Sequence, residues 1–275
     1  MYNLKVLKPI QIDDLVRCGK KYDGGYVLSQ SQILRTKVLL SFGINADYSF
    51  EYDFSKKNPN VEIYAYDHST PEALSVGLLP KIPRKWIKQL VNPRIFIYKT
   101  YLRIREYLWR KKHPFNDFFD KSKRKYFFDK FVGTKDNGQF ASIDTVFKNI
   151  NCSVAENDVF AKIDIEAAEY DIIPLFKPYL HLINGFVFEF HQLGEVSGEK
   201  FNKILPLLFE QFYIAHVHAN NLSGFIEGTK LPLCLEITFI KKNLVENPDK
   251  PYTYPRGLDF PDFPYLPEMK LEWLE

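Results

Sequence analysis

The chain of 275 residues contains no run approaching the roughly 20 apolar residues that a membrane-spanning helix needs. Its opening, "MYNLKVLKPIQIDD", has neither the apolar core nor the small-residue cleavage site of a secretory signal, so a cytoplasmic protein is expected. Cysteine is scarce: Cys18, Cys152 and Cys234 stand far apart and in no metal-type spacing, which argues against a disulfide framework or a zinc site. They read as reduced, structural thiols. There is no internal repeat of fixed period. The dinucleotide fingerprint G-x-G-x-x-G is also missing, because the first strand-to-helix turn, "SFGINADYSF", holds a single glycine. That disfavours NAD or FAD, whose diphosphate lies on a glycine-rich helix start.

What is present is an ordinary globular composition, 45% hydrophobic and 16% aromatic, with enough length for one large domain carrying an insertion. The net charge of +3 conceals an asymmetry: residues 81–126 hold 15 Lys or Arg against Glu106, Asp117 and Asp120, leaving 22 basic to 31 acidic residues elsewhere. Apolar and aromatic residues recur through that stretch at helical spacing. It reads as one or two amphipathic helices whose basic face is solvated or meets phosphates, nucleic acid or an anionic membrane surface. The layout is a single domain over 1–275, with an N-terminal segment 1–36, the basic insertion at about 75–126, and a tail from 247 to 275. Six prolines between Asn247 and Pro267 predict an extended surface course for that tail, closed by Trp273 and Leu274.

Apart from the insertion, short β-rich runs alternate with helical stretches, the pattern of a parallel sheet covered by helices on both faces. Seven strands are expected: 37–43, 61–69, 126–134, 159–166, 183–191, 213–221 and 233–242. Only 11 residues separate the last two, too few for a crossover helix, so they form an antiparallel hairpin.

Ligands of such sheets lie beyond the carboxyl ends of the strands. Those ends are polar here: Ser41, Gly43 and Asn45; Asp67 and His68; Asp164 and Glu166; Glu189 and His191; His216, His218, Asn220 and Asn221. Four of the six histidines fall among them. In "FAKIDIEAAEYDII", Lys162, Asp164 and Glu166 share one face of an apolar strand, an exception that marks a site floor. Gly43 lets a ligand approach the backbone, and Asp67, just past the second strand, is placed for a ribose diol, so the pair suggests a nucleoside without a diphosphate.

"KIDIEAAEYDII" resembles the K-I-D-I/V-E-G-A/S-E-W/Y signature of the FkbM-type methyltransferases. Further stretches resemble one branch of that family: "KYDGGYVL", "VLLSFGINADYSFE", "YAYDHS", "FVFEFH", "HVHANN" and "LEITFIKK". The resemblance implies a Rossmann-like class I fold with strand order 3-2-1-4-5-7-6, S-adenosylmethionine as cofactor, and O-methylation of a small acceptor, a sugar or nucleotide-linked sugar. Ser41, Gly43, Asn45, Asp47, Asp67, His68 and Gly133 would then lie along the cofactor. Ser41 stands where many class I members have an acid for the methionine ammonium group, which Asp47 or the loop Asp23 to Gly25 would supply; Ala167 replaces the signature glycine.

Methyl transfer to a hydroxyl needs a base, and His191, with Asp164 and Glu189, is the expected catalytic group. The same three side chains could hold Mg, Mn, Fe or Zn, because Glu189 and His191 share a strand face. Glu166, His218, Asn220 and Asn221 are expected toward the substrate, with structural roles as the alternative: Glu166 as a helix cap, Lys162 as an ion-pair partner. Two rival functions remain, a non-catalytic module of the same fold and a nucleic-acid methyltransferase. The latter is disfavoured because the basic charge sits in one insertion and no N-P-P-Y motif follows the fourth strand.

Overall fold

The computed structural model describes residues 4–45, 47–70, 93–251 and 257–271. An antiparallel hairpin, β1 (Leu15–Gly19) and β2 (Gly25–Ser29), comes first and runs into α1 (Gln30–Arg35), whose N-terminus is capped by the Ser29 hydroxyl accepting from Gln32 N–H. Then come β3 (Val38–Phe42), α2 (Ser49–Lys57) and β4 (Glu62–Tyr66). The described part of the insertion is α3 (Pro93–Lys112) and α4 (Phe115–Phe118); the remainder of the expected insertion, up to residue 92, lies outside the described residues.

Beyond it, the expected third strand is split into β5 (Lys125–Phe128) and β6 (Phe131–Gly133). The second piece leaves the sheet to pair with β7 (Phe140–Ser142) in a parallel ribbon. After α5 (Ile143–Lys148) come β8 (Val159–Ile163) and α6 (Glu169–Ile172), which tightens into a 3-10 run, Ile173–Leu182, where Pro174 and Pro178 remove helical donors. The chain closes with β9 (Ile183–Phe190), α7 (Glu195–Phe209), β10 (Phe212–Ala219) and β11 (Leu235–Lys241).

The main sheet has the order β5-β4-β3-β8-β9-β11-β10, which is 3-2-1-4-5-7-6 counted along the chain, and only the pairings of β11 are antiparallel. This is the Rossmann-like, seven-stranded arrangement that the resemblance implied. Its central strands are buried along their whole length, as strands covered on both faces must be. Side chains alternate between two cores: Val38, Leu40 and Phe42 enter one with Val159 and Ile163, while Leu39 and Phe160 enter the other. Lys162 and Ser41, opposite one another in register, point to the second face.

Helix α3 carries exposed Arg105, Lys111 and Lys112, and docks by its aromatic side. Trp109 and His113 pack against Tyr48 and Tyr52 at ring separations of 4.5 to 5.5 Å, joined by Phe118. The tail departs from the expected surface course. Phe263, Met269 and Leu271 are buried, and Asn221 binds the carbonyls of Phe263, Leu266 and Pro267. Trp273 and Leu274 lie outside the described residues. All three cysteines are free thiols, and no described helix is long and apolar enough to cross a membrane.

Candidate functional site

A cavity of about 620 Å³ opens at the carboxyl ends of β3, β4, β8 and β9, within the range of small-molecule sites. Its floor depends on Gly43. With φ at +76°, and with a built Cβ falling 1.6 Å from the Asp164 carbonyl oxygen, no other residue fits there. The Lys162 ammonium donates to the Gly43 carbonyl, tying the ends of β3 and β8 together.

Asp67 fixes the same turn from β4. One carboxylate oxygen accepts from Ile44 N–H at 2.9 Å and Asn45 N–H at 2.6 Å; the other takes Ser69 N–H and hydroxyl and Thr70 N–H. A carboxylate has about four lone-pair sites, so these five donors occupy it. The ribose contact expected of Asp67 therefore has no free acceptor in this arrangement, although Asp67 does line the cavity with Asn45.

Ser41 donates its hydroxyl to Glu51, a fully buried acid of α2. Burial raises the Glu51 pKa, opposed by the field of Lys162, and among the described residues its second oxygen has no hydrogen-bond partner. The acid missing at position 41 thus reappears behind it, contributed by the next helix. Toward the mouth, Asp47 pairs with Lys20 at 2.7 Å and abuts Gly24, beside Asp23. Asp23 and Asp47 thus line the cavity mouth, Asp47 already paired with a cation.

The chemistry-bearing groups meet where β8 and β9 end. His191 Nδ1 lies 2.9 Å from Oε1 of the fully buried Glu169, which also accepts from Ile165 N–H at 3.0 Å. That bond orients the ring and turns Nε2 toward Asp164 and Glu189, 3.7 Å from each. Burial works against charge on His191, but the bond to Glu169 and the fields of Glu189, Glu169 and Asp164 outweigh it and raise the pKa. For Glu189, burial leads and the fields of Asp164 and Glu236 add to it, so this carboxyl too holds its proton more tightly than usual. The Tyr26 hydroxyl bridges the two acids, 3.1 Å from Asp164 and 3.3 Å from Glu189. Glu189 also accepts from the Asn220 amide at 2.9 Å and the Cys234 thiol at 3.2 Å. Lys162, fully enclosed, is the counter-charge: desolvation is overcome by Asp164 and Glu51, which keep its pKa raised.

Between β8 and α6 the chain turns through Glu166 and Ala167, at φ of 56° and 80°. Two successive non-glycine residues in the left-handed region are strained. Glu166 is exposed at the cavity edge, and helix α6 has no side-chain cap.

The expected residues Gly43, Asn45, Asp47, Asp67, Asp164, Glu166, Glu189, His191 and Asn220 come together around the cavity. His68 does not: it pairs with Asp129 at 2.7 Å on the exposed side and packs on Phe131. Gly133 also stands outside, its neighbours Phe131 and Val132 forming the wall. His218 and Asn221 turn toward the C-terminal segment. Sequence reasoning missed Tyr26, Glu51, Glu169 and Cys234. Of these, Glu169 is the third acid of "KIDIEAAEYD", and Tyr26 and Glu51 lie within the stretches "KYDGGYVL" and "VLLSFGINADYSFE", while Cys234 had no readable signal. For a metal, donors of Glu189, His191 and Cys234 lie within 4.8 Å of one another, a set in which Cys234 takes the expected place of Asp164.

No family model matches the chain, and a search of curated proteins returned no match. Among solved structures, the chain is similar to a precorrin-6y C5,15-methyltransferase of Geobacter metallireducens, at 14% identity over 78% of this chain and 84% of that one, with a TM-score of 0.36. It is also similar to the fibrillarin pre-rRNA processing protein of Methanococcus jannaschii, at 11% identity over 88% and 77%, with a TM-score of 0.39. What the cavity does has to be read from its own side chains.

Proposed function

We propose that the chain is an S-adenosylmethionine-dependent O-methyltransferase of the FkbM type that acts on a sugar hydroxyl. The observation that carries this reading is the His191–Glu189–Asp164 constellation, held by Tyr26, Lys162 and Glu169 beside the Gly43 turn. The cavity suits the cofactor by charge. Even with Glu189 holding its proton, Asp23, Asp47, Asp67, Asp164 and Glu166 line it against Lys162 and His191, a surplus of negative charge that favours a sulfonium and an ammonium group. The Gly43–Asn45 turn, Asp23 and Asp47 would hold it; when bound, it supplies an electrophilic methyl group.

This chain's own part is to place an acceptor oxygen and take its proton. Glu189 and His191 lie 3.7 Å apart through Nε2 and both bind a proton more tightly than usual, so once the pair has released one proton to solvent it is a strong acceptor for the proton leaving a hydroxyl. Asn220 and Tyr26 fix the Glu189 carboxylate meanwhile. The acidic lining repels phosphate, so with a nucleotide-linked sugar the sugar alone enters and the phosphates stay outside, toward the basic helix α3.

Calorimetry of the purified chain with S-adenosylmethionine and S-adenosylhomocysteine tests this. The charge surplus predicts that the cationic sulfonium form binds several-fold more tightly than its neutral counterpart. Mass-detected methylation of a sugar panel then identifies the acceptor. Absence of binding by both ligands, with and without added divalent metal, rejects the enzyme reading in favour of a non-catalytic module.

A further inference from the structure

A second polar group, outside the cavity, has no part in the reading above. His218 on β10, Glu236 on β11 and Asp262 in the C-terminal segment are each no more than 5% exposed. Strand register sets His218 opposite Glu236, and Asp262 is brought in beside Phe263, whose N–H donates to Asn221 at 2.8 Å. His218 is gripped from its outer side, with Nε2 2.9 Å from Glu268. Nδ1 is then turned to two carboxylates, 3.2 Å from Glu236 and 3.9 Å from Asp262.

Asp262 is the anomaly. Among the described residues neither of its oxygens has a hydrogen-bond partner, although the side chain is 1% exposed. A buried carboxylate without donors is strongly unfavourable, and a second acid facing the same imidazole makes it worse. One imidazole cannot satisfy both.

We propose that His218, Glu236 and Asp262 bind a divalent first-row transition cation, Zn²⁺ or Mn²⁺, with His218 ligating through Nδ1. The three donors lie within 4.8 Å of one another. Ligands about 2.0–2.2 Å from an ion stand about 3–3.5 Å apart, so gaps of 3.2 and 3.9 Å close on an ion with small side-chain movements. A carboxylate on the far ring nitrogen, here Glu268, is the usual companion of a metal-bound imidazole. One nitrogen with carboxylate oxygens suits zinc or manganese better than calcium. The ion ties the C-terminal segment to the last hairpin. It also screens Glu236, the cross-strand partner of Glu189, and so reaches the cavity.

The test uses the full chain, stripped with chelator and titrated with Zn²⁺ or Mn²⁺ by calorimetry, with thermal unfolding followed in parallel. One equivalent should bind, and a hundredfold excess over Kd should raise the unfolding midpoint by about 5–10 °C. Asp262→Asn should weaken binding by about 100-fold, while His191→Ala keeps it. Because Asp262→Asn removes a buried charge and so acts on folding by itself, Co²⁺ absorption of the unmutated chain gives a second reading: ligand-field bands without a thiolate charge-transfer band support this site over the Glu189, His191 and Cys234 group. A thiolate band, loss of the ion in His191→Ala alone, or no uptake of either ion overturns the proposal. So does an Asp262→Asn chain that gains stability whether or not metal is present, which assigns a shared proton to the cluster.

Discussion

Glu189, Glu236 and His218 stand side by side across β9, β11 and β10, so one row of the sheet carries both the cavity carboxylates and those beside the tail. The two ends of that row are satisfied in opposite ways. Glu189 takes hydrogen bonds from Asn220 and Cys234, Asp164 takes one from Lys162, and the one Tyr26 hydroxyl proton lies between the two acids; among the described residues Asp262 has no hydrogen-bond donor. A carboxylate held by neutral donors and one lysine is fixed in place yet free to exchange a proton. One left bare in a dry pocket calls for a cation. Under the two proposals above, that difference gives the inner end acid–base work and the outer end a structural role.

Breaking the inner end at its proton acceptor should give the largest effect. Glu189→Gln keeps the shape and removes the acid, and methyl transfer should fall by about 10²–10⁴-fold in kcat, the span of a general base. Single-turnover kinetics check this, and an unchanged kcat would move the proton acceptor to another group. Lys162→Met attacks the counter-charge instead. It leaves Glu51 fully buried and Asp164 without its cation, and removing one partner of a buried pair costs about 3–5 kcal/mol. Urea unfolding measures that loss; a cost below about 1 kcal/mol would mean that Glu51 is protonated and needs no lysine.

The inner end should also declare itself in pH dependence. His191 and Glu189 both have folded-state pKa values raised above their ordinary values of about 6.5 and 4.5. The folded chain then holds protons that the unfolded chain has released, so their contribution is full at low pH and is lost as pH rises from those ordinary values through the raised ones. With chelator present, wild-type stability should fall from about pH 4.5, where Glu189 begins to lose its contribution, to about pH 9, and His191→Gln should flatten the part of that slope above about pH 6.5. A slope unchanged in the variant would place the titration elsewhere.

How far this contrast was legible in the sequence depends on distance along the chain. The parallel sheet and its closing hairpin followed from alternation and from the short link before the last strand, the strand order came only with the resemblance, and Asp164, Glu189 and His191 were readable because a charged residue at the end of an apolar strand breaks a local pattern. Tyr26 had no such mark: it lies in an apolar strand 138 residues from Asp164 and 163 from Glu189, partners that only folding supplies. Glu51 looked like one more acid in an amphipathic helix. Asp262 was hidden by its surroundings, since prolines suggested an exposed tail and the apolar anchors Phe263, Met269 and Leu271 are too widely spaced to form a periodic run. His218 was noticed and left between a substrate contact and a structural role, because register and not sequence separation decides that Glu236 stands beside it.

The smallest expected effect sharpens the contrast from the backbone side. Ala167, in the turn below His191, has φ of 80°, where an L-residue is strained and glycine is not; the resembling signature has glycine there. Ala167→Gly should therefore stabilise the chain by about 1 kcal/mol, a rise of about 2–4 °C in Tm, despite the usual entropic cost of glycine. Glu166, next to it and also left-handed, stays as it is, so the turn keeps half its strain. If the strain serves to hold Asp164 and Glu169 in position, Ala167→Gly will gain stability and lose some of its turnover, and the slope of stability between pH 6.5 and 9 will shallow as Glu169 releases His191. A gain in Tm with turnover and slope both unchanged would show that the turn only joins β8 to α6 and that the hydrogen bonds alone set the site.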